Sequence, residues 1–188
     1  MTATVSPALP PELEREIFEL CAHSWPAQIP KLMRVAHRVK HWVHPLLYRT
    51  LVVYDPSRKN PDDAGTRRIT IERAASAIGA HPAFFPSAVR HLLVYTFHNK
   101  DVANIATILA ACTGIENLSL FEMDDTWISI IALLPLKRFY GRCQILISMP
   151  HPSNIVFPHL THLRLIDWIH SENTDALIAF LAYPCSRT

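Results

Sequence analysis

Glycine is scarce in this chain: four in 188 residues, beside fifteen prolines. So few glycines exclude a glycine-rich phosphate loop, a collagen pattern and a barrel turned on glycine corners. Charge is thin as well. Asp, Glu, Lys and Arg make up 18%, below the roughly 25% usual for soluble domains. With 49% hydrophobic residues, most of the chain can bury a core and is not expected to be disordered. A net charge of +2 is too small to hold nucleic acid by bulk electrostatics, and the pairs Arg67-Arg68 and Lys137-Arg138 read as solvated surface. Cys21, Cys112, Cys143 and Cys185 lie far apart with no C-x-x-C spacing. Neither a disulfide framework nor a zinc site is expected, and reduced cysteines point to the cytoplasm or nucleus. The longest apolar runs, Trp127 to Leu136 and Ala176 to Pro184, are far shorter than the ~20 residues that span a bilayer. Met1 to Pro11 lacks a basic residue, and Glu12, Glu14, Glu16 and Glu19 follow at once. That is unlike a signal or transit peptide.

What is present begins with helical periodicity. Pro10-Pro11 suits the first turn of a helix, where a missing N–H costs nothing, and the glutamates after it favour the positive end of the helix dipole. Leu13, Ile17, Leu20 and Cys21 form one apolar stripe, and Ser24-Trp25-Pro26 ends the segment. A second helix is expected from Ile29-Pro30, with Leu32, Val35, Ala36 and Val39 inward, and a third near Trp42 to Tyr48, interrupted at Pro45. Three short helices make a poor independent core, so the piece should lean on the rest of the chain or on a partner.

These residues carry a resemblance. Leu9-Pro10-Pro11-Glu12-Leu13 with Glu16-Ile17-Phe18, then Val35-Ala36-His37-Arg38-Val39 and Pro45-Leu46-Leu47-Tyr48-Arg49 with Leu51, resemble an F-box over about residues 8–51. The flavour is similar to the F-box-like proteins of mushroom-forming fungi. Ala36 stands where the family commonly has Cys, and Val39 where it has Trp, which would leave a smaller contact there. The resemblance implies docking on the Skp adaptor of a Skp–cullin–F-box ubiquitin ligase. Leu9, Pro10, Leu13, Ile17 and Val35 map onto adaptor-facing or adaptor-supporting positions.

From residue 89 one short pattern recurs. Val89-Arg90-His91-Leu92-Leu93-Val94, Ile115-Glu116-Asn117-Leu118-Ser119-Leu120, the degenerate Leu136-Lys137-Arg138-Phe139-Tyr140-Gly141 and Leu160-Thr161-His162-Leu163-Arg164-Leu165 start 26, 21 and 24 residues apart. Tyr48-Arg49-Thr50-Leu51-Val52-Val53 fits the same template 41 residues earlier, so the first unit carries a long insertion. Between copies the period turns helical: Val102, Ile105, Ala106 and Leu109; Trp127, Ile128, Ile131 and Leu134; Leu177, Ile178 and Leu181. Asp101, Asp125 and Asn173 stand where helix caps would help, and Thr66 to Gly79 reads as a further helix. The segment Arg142 to Pro158 shows no helical pattern, and Asp55 to Gly65 reads as a polar surface loop. The spacing resembles leucine-rich repeats, in which strand-and-helix units share one core. The usual Asn closing each strand motif is absent, as in an irregular variety.

Chemistry-bearing motifs are missing: no G-x-S-x-G, H-E-x-x-H, Walker loop or G-x-G-x-x-G occurs. His37, His41 and His44 share helical spacing, but Pro45 and the nearby junction spoil a ligand set, and His159 and His162 fall on opposite faces of a strand. Asp62-Asp63 and Asp124-Asp125 are adjacent pairs that point apart. Cys112 reads as a buried thiol. No enzyme, cofactor or metal site is therefore expected.

The sequence thus predicts an α/β chain (α+β by content): a tail over 1–8, an F-box-like three-helix module over 9–51, and an irregular leucine-rich-repeat-like solenoid over 52–188 with a loop at 55–65. The expected function is substrate recognition for a ubiquitin ligase, in the cytoplasm or nucleus, with no nucleic-acid or membrane partner. Arg90, Glu116, Ser119 and Arg164 on the strand face are the candidate target contacts. The competing expectation is a non-ligase interaction scaffold whose N-terminal helices only cap the repeats. No capping repeat precedes Thr188, which leaves a truncated receptor among the readings.

Overall fold

The structure is a computed structural model that describes residues 9–56, 68–96, 101–122, 124–142 and 159–166. The chain forms two compact units, Met1–Arg49 and Thr50–Thr188.

The first unit is helical. Helix α1 (Pro11–Ser24) starts at the expected prolines and ends before Pro26. A 3₁₀ turn (Pro26–Gln28) leads into α2 (Ile29–Leu32), and α3 spans His37–Val43. A second 3₁₀ turn, Pro45–Tyr48, follows the break expected at Pro45. The second helix is shorter than its periodicity predicted. The backbone becomes extended at Ala36, so α2 and α3 are separate and Val35 sits in the connection, exposed rather than inward. Ala22, Ile29, Val39 and Val43 form the small core, with Phe18, Leu32, Trp42, Leu46 and Leu47 packed around it. Val39 is fully buried. It belongs to the interior of this unit and not to its outer surface. Arg38 on α3 holds Glu14 on α1 through two hydrogen bonds of 2.8 and 2.9 Å.

The second unit is mixed α/β and built on a six-stranded parallel sheet. Its strands are β1 (Thr50–Tyr54), β2 (Arg68–Thr70), β3 (His91–Tyr95), β4 (Asn117–Leu120), β5 (Arg138–Gly141) and β6 (His162–Leu165). The spatial order is β2-β1-β3-β4-β5-β6. Thr50, His91, Asn117, Arg138 and His162 stand in one register row, so the strand offsets equal the sequence spacings of the motif. Helices α4 (Ile71–Ala80) and α5 (Phe85–Ala88), α6 (Val102–Ala111) and α7 (Ile128–Ile131) make the crossovers from β2 to β3, β3 to β4 and β4 to β5, which parallel strands require. Strand β2 corrects the helix expected from Thr66: Arg68–Thr70 is extended, and α4 begins only after Thr70, whose hydroxyl accepts the Arg73 N–H.

The motif has a physical reason. Its first and fourth positions, Val89 and Leu92, Ile115 and Leu118, Leu136 and Phe139, are all buried against the helices. Its second residue offers a carbonyl to the next unit: Arg90 accepts the N–H groups of Glu116 and Asn117, Glu116 those of Lys137 and Arg138, and Lys137 those of Thr161 and His162, at 2.7–3.1 Å. The same three-centre pattern repeated along the sheet marks the units as equivalent. Gly141 closes the degenerate copy because a Cβ there would lie 2.9 Å from the Phe139 ring. In the last copy Leu160, Leu163 and Leu165 are half-buried.

One cap assignment changes. Asp101 precedes α6 but makes no side-chain cap. Before α7 the Asp124 carboxylate accepts from the Thr126 N–H (2.9 Å) and hydroxyl, and these bonds lower its pKa; the side chain of Asp125, the expected cap, is outside the described set. The helix around Leu177, the cap Asn173, residues 57–65 of the expected loop 55–65 and the segment 143–158 lie outside the described residues.

Candidate binding surfaces

On α1 the apolar stripe divides. Cys21 is half-buried, beside Ala22 in the core, whereas Leu13 and Ile17 are each 48% exposed and Leu20 66%. Leu9, 46% exposed, and the exposed Pro10 precede the helix, and Val35 is 61% exposed. All five residues expected to face an adaptor therefore present side chains to solvent. Leu9, Leu13, Ile17 and Leu20 follow one helical face by spacing. Helix α1 holds two adjacent apolar stripes, and the one containing Phe18, Cys21 and Ala22 is turned to the core.

The second surface is the face of the sheet opposite the buried side. Alternation along each strand puts His91, Leu93 and Tyr95, Asn117 and Ser119, Arg138 and Tyr140, His162 and Arg164 on that side. All of these but His91 line a groove of about 790 Å³ together with Phe121. Tyr95 stacks on Phe121 with centroids 4.8 Å apart, and Phe121 meets the edge of Tyr140 at 6.1 Å. Guanidinium groups lie over the outer rings: Arg68 is 5.6 Å from the Tyr95 centroid and Arg164 is 5.3 Å from that of Tyr140. Arg68 is therefore part of the ring stack and not solvated surface. The amide of Asn117 meets His91 Nδ1 directly across the strands.

The four expected target contacts separate into two pairs. Ser119 and Arg164 share the row Leu93–Ser119–Tyr140–Arg164 on the open face. Arg90 and Glu116 do not belong to it. They occupy the row just before the strands, where Arg90 donates to the Gly114 carbonyl at 3.1 Å and Glu116 pairs with Lys137 at 2.8 Å. The sequence reading missed Tyr95, Phe121, Tyr140 and Arg138. Aligning the motif copies by column would have found them, since every second position from the third points to one face.

Among the described residues no catalytic constellation stands out. Cys112 is fully buried, and burial pushes its thiol up to about 12, far from a reactive thiolate. Among the described residues no three His, Cys, Asp or Glu side chains gather as a metal site, and no helix is long and apolar enough to cross a membrane. Comparison with protein-family models, curated proteins and solved structures gives no match.

Proposed function

We propose that the chain is a substrate-recognition subunit of a Skp–cullin–F-box ubiquitin ligase, acting in the cytoplasm or nucleus. In this reading the first unit is an F-box-like module and the second an irregular leucine-rich-repeat-type solenoid. The chain performs no bond chemistry. It holds a target near a ubiquitin-charged enzyme and raises the effective concentration of the target there.

The observation that carries the reading is the outward apolar face of α1. Leu13, Ile17 and Leu20, all large apolar side chains of α1, stay about half exposed or more. Exposed apolar area of this kind is expected at an interaction site, and it coincides with positions that the F-box resemblance assigns to the adaptor. The repeated strand motif, with its shared register and carbonyl pattern, supports the solenoid half.

Co-purification with a Skp adaptor tests it. The wild type should capture the adaptor stoichiometrically, and the Leu9→Ala/Pro10→Ala double variant should lose capture while retaining its helical circular dichroism. Failure of a well-folded wild type to capture the adaptor would leave a repeat scaffold without a ligase.

A further inference from the structure

We propose that the open sheet face binds an extended, carboxylate-rich segment of a partner protein, lying across β3 to β6, with Arg138 and Arg164 as its anion contacts. This deepens the target-holding half of the proposed function and does not depend on adaptor docking.

Charge complementarity carries the choice of occupant. The described residues that line the groove include Arg138, Arg164 and His162 and no carboxylate. Neither Arg138 nor Arg164 forms an ion pair among the described residues, and both are exposed. In the sheet register Arg138 pairs with His162 and Tyr140 with Arg164, so the two arginines are diagonal neighbours, one strand spacing and two residues of rise apart, about 8 Å at the backbone. Two planar guanidinium forks at that spacing match carboxylates on an extended chain. Three strand spacings from β3 to β6 cover about 14 Å, room for about four extended residues.

The rings argue against nucleic acid as the occupant. Single-stranded bases need free ring faces to stack on. Here Tyr95 and Phe121 cover each other, Arg68 lies over Tyr95, and Arg164 lies over Tyr140. Ring edges carry the positive end of the quadrupole and suit carboxylate oxygens.

Fluorescence anisotropy of the full chain with labelled peptides of roughly ten residues tests the proposal. An Asp/Ser peptide should bind and weaken as salt rises, whereas a Lys/Ser peptide should not bind. Arg138→Gln/Arg164→Gln should weaken the acidic peptide roughly tenfold for each arginine removed. Arg138→Lys/Arg164→Lys should recover part of that loss, since the charge returns without the fork. Neither arginine is in the core, so these variants should keep the wild-type unfolding transition. Ser119→Asp, which puts a carboxylate in the middle of the face, should also abolish binding. Equal affinity for the acidic and basic peptides would overturn the proposal, as would unchanged affinity in the double glutamine variant. So would binding only of a phosphoserine peptide, or tighter binding of oligothymidine of the same length. Loss of adaptor capture with peptide binding intact would sink the ligase reading and leave this one standing.

Discussion

The two units treat their large apolar side chains in opposite ways. In the sheet unit both apolar positions of three motif copies are buried, and successive copies extend one core along the register. In the helical unit Leu13, Ile17 and Leu20 face solvent, while a core of four buried residues sits beneath the other side of α1. A repeated unit has a neighbour of its own kind to cover it. The helical unit has no such repeat within it, and the apolar face of α1 is the surface proposed above to dock a partner of different sequence. The polar surfaces differ in the same sense. The open sheet face carries arginines stacked on aromatic rings, a surface suited to charge rather than to an apolar helix.

The largest expected effect breaks the sheet unit. Leu92 is fully buried in the central strand pair, and Leu92→Ala should cost about 2–5 kcal/mol in chemical denaturation. Ile17→Ala, on the open face of α1, should stay within about 0.5 kcal/mol of wild type. Next comes Gly114→Ala. A Cβ there would lie 2.3 Å from the Pro86 carbonyl oxygen, a backbone atom that cannot swing away, so a loss of about 1–3 kcal/mol is expected. Trp127→Phe removes the indole N–H donated to the Val102 carbonyl at 3.1 Å. It should cost about 1 kcal/mol by thermal unfolding, because it leaves a carbonyl at the start of α6 without that donor.

The smallest effect belongs to the helical unit and to pH. Burial, and then the charge of Lys40, lower the pKa of His44 below its ordinary 6.5. Above that value the imidazole is neutral in both folded and unfolded chains, and its contribution is complete. As pH falls below 6.5 toward the lowered folded value, the unfolded chain takes up a proton first and stability is lost. Unfolding followed through Trp42 or other helical-unit probes should show this slope, and His44→Gln should flatten it.

Much of the sheet was legible because its signal repeats. Five strands were anticipated from one six-residue pattern, and the register rows reproduce its spacing. Strand β2 was missed because Arg68–Thr70 is too short to alternate visibly and runs straight into α4. Val35 was misplaced because periodicity carries through a backbone break that only the extended Ala36 reveals. Arg90 and Glu116 were assigned to the open face although each lies one residue before its strand, where side-chain direction is set by local hydrogen bonds and not by the pleat. The ring and arginine cluster stayed hidden because its members come from β2, β3, the residue just after β4, β5 and β6, with about twenty residues between successive members. Which stripe of α1 turns inward was not legible from periodicity, since both stripes have helical spacing.

In the proposed function the two surfaces work independently: the apolar face of α1 docks an adaptor, and the open sheet face reads a charged target. Isothermal titration of a Skp adaptor into wild type, Ile17→Lys and Arg138→Gln/Arg164→Gln tests it most directly. The account predicts one-to-one binding to the wild type, the same affinity in the arginine variant, and no binding to a folded Ile17→Lys. Absence of binding to the wild type, or equal binding by all three, would contradict it.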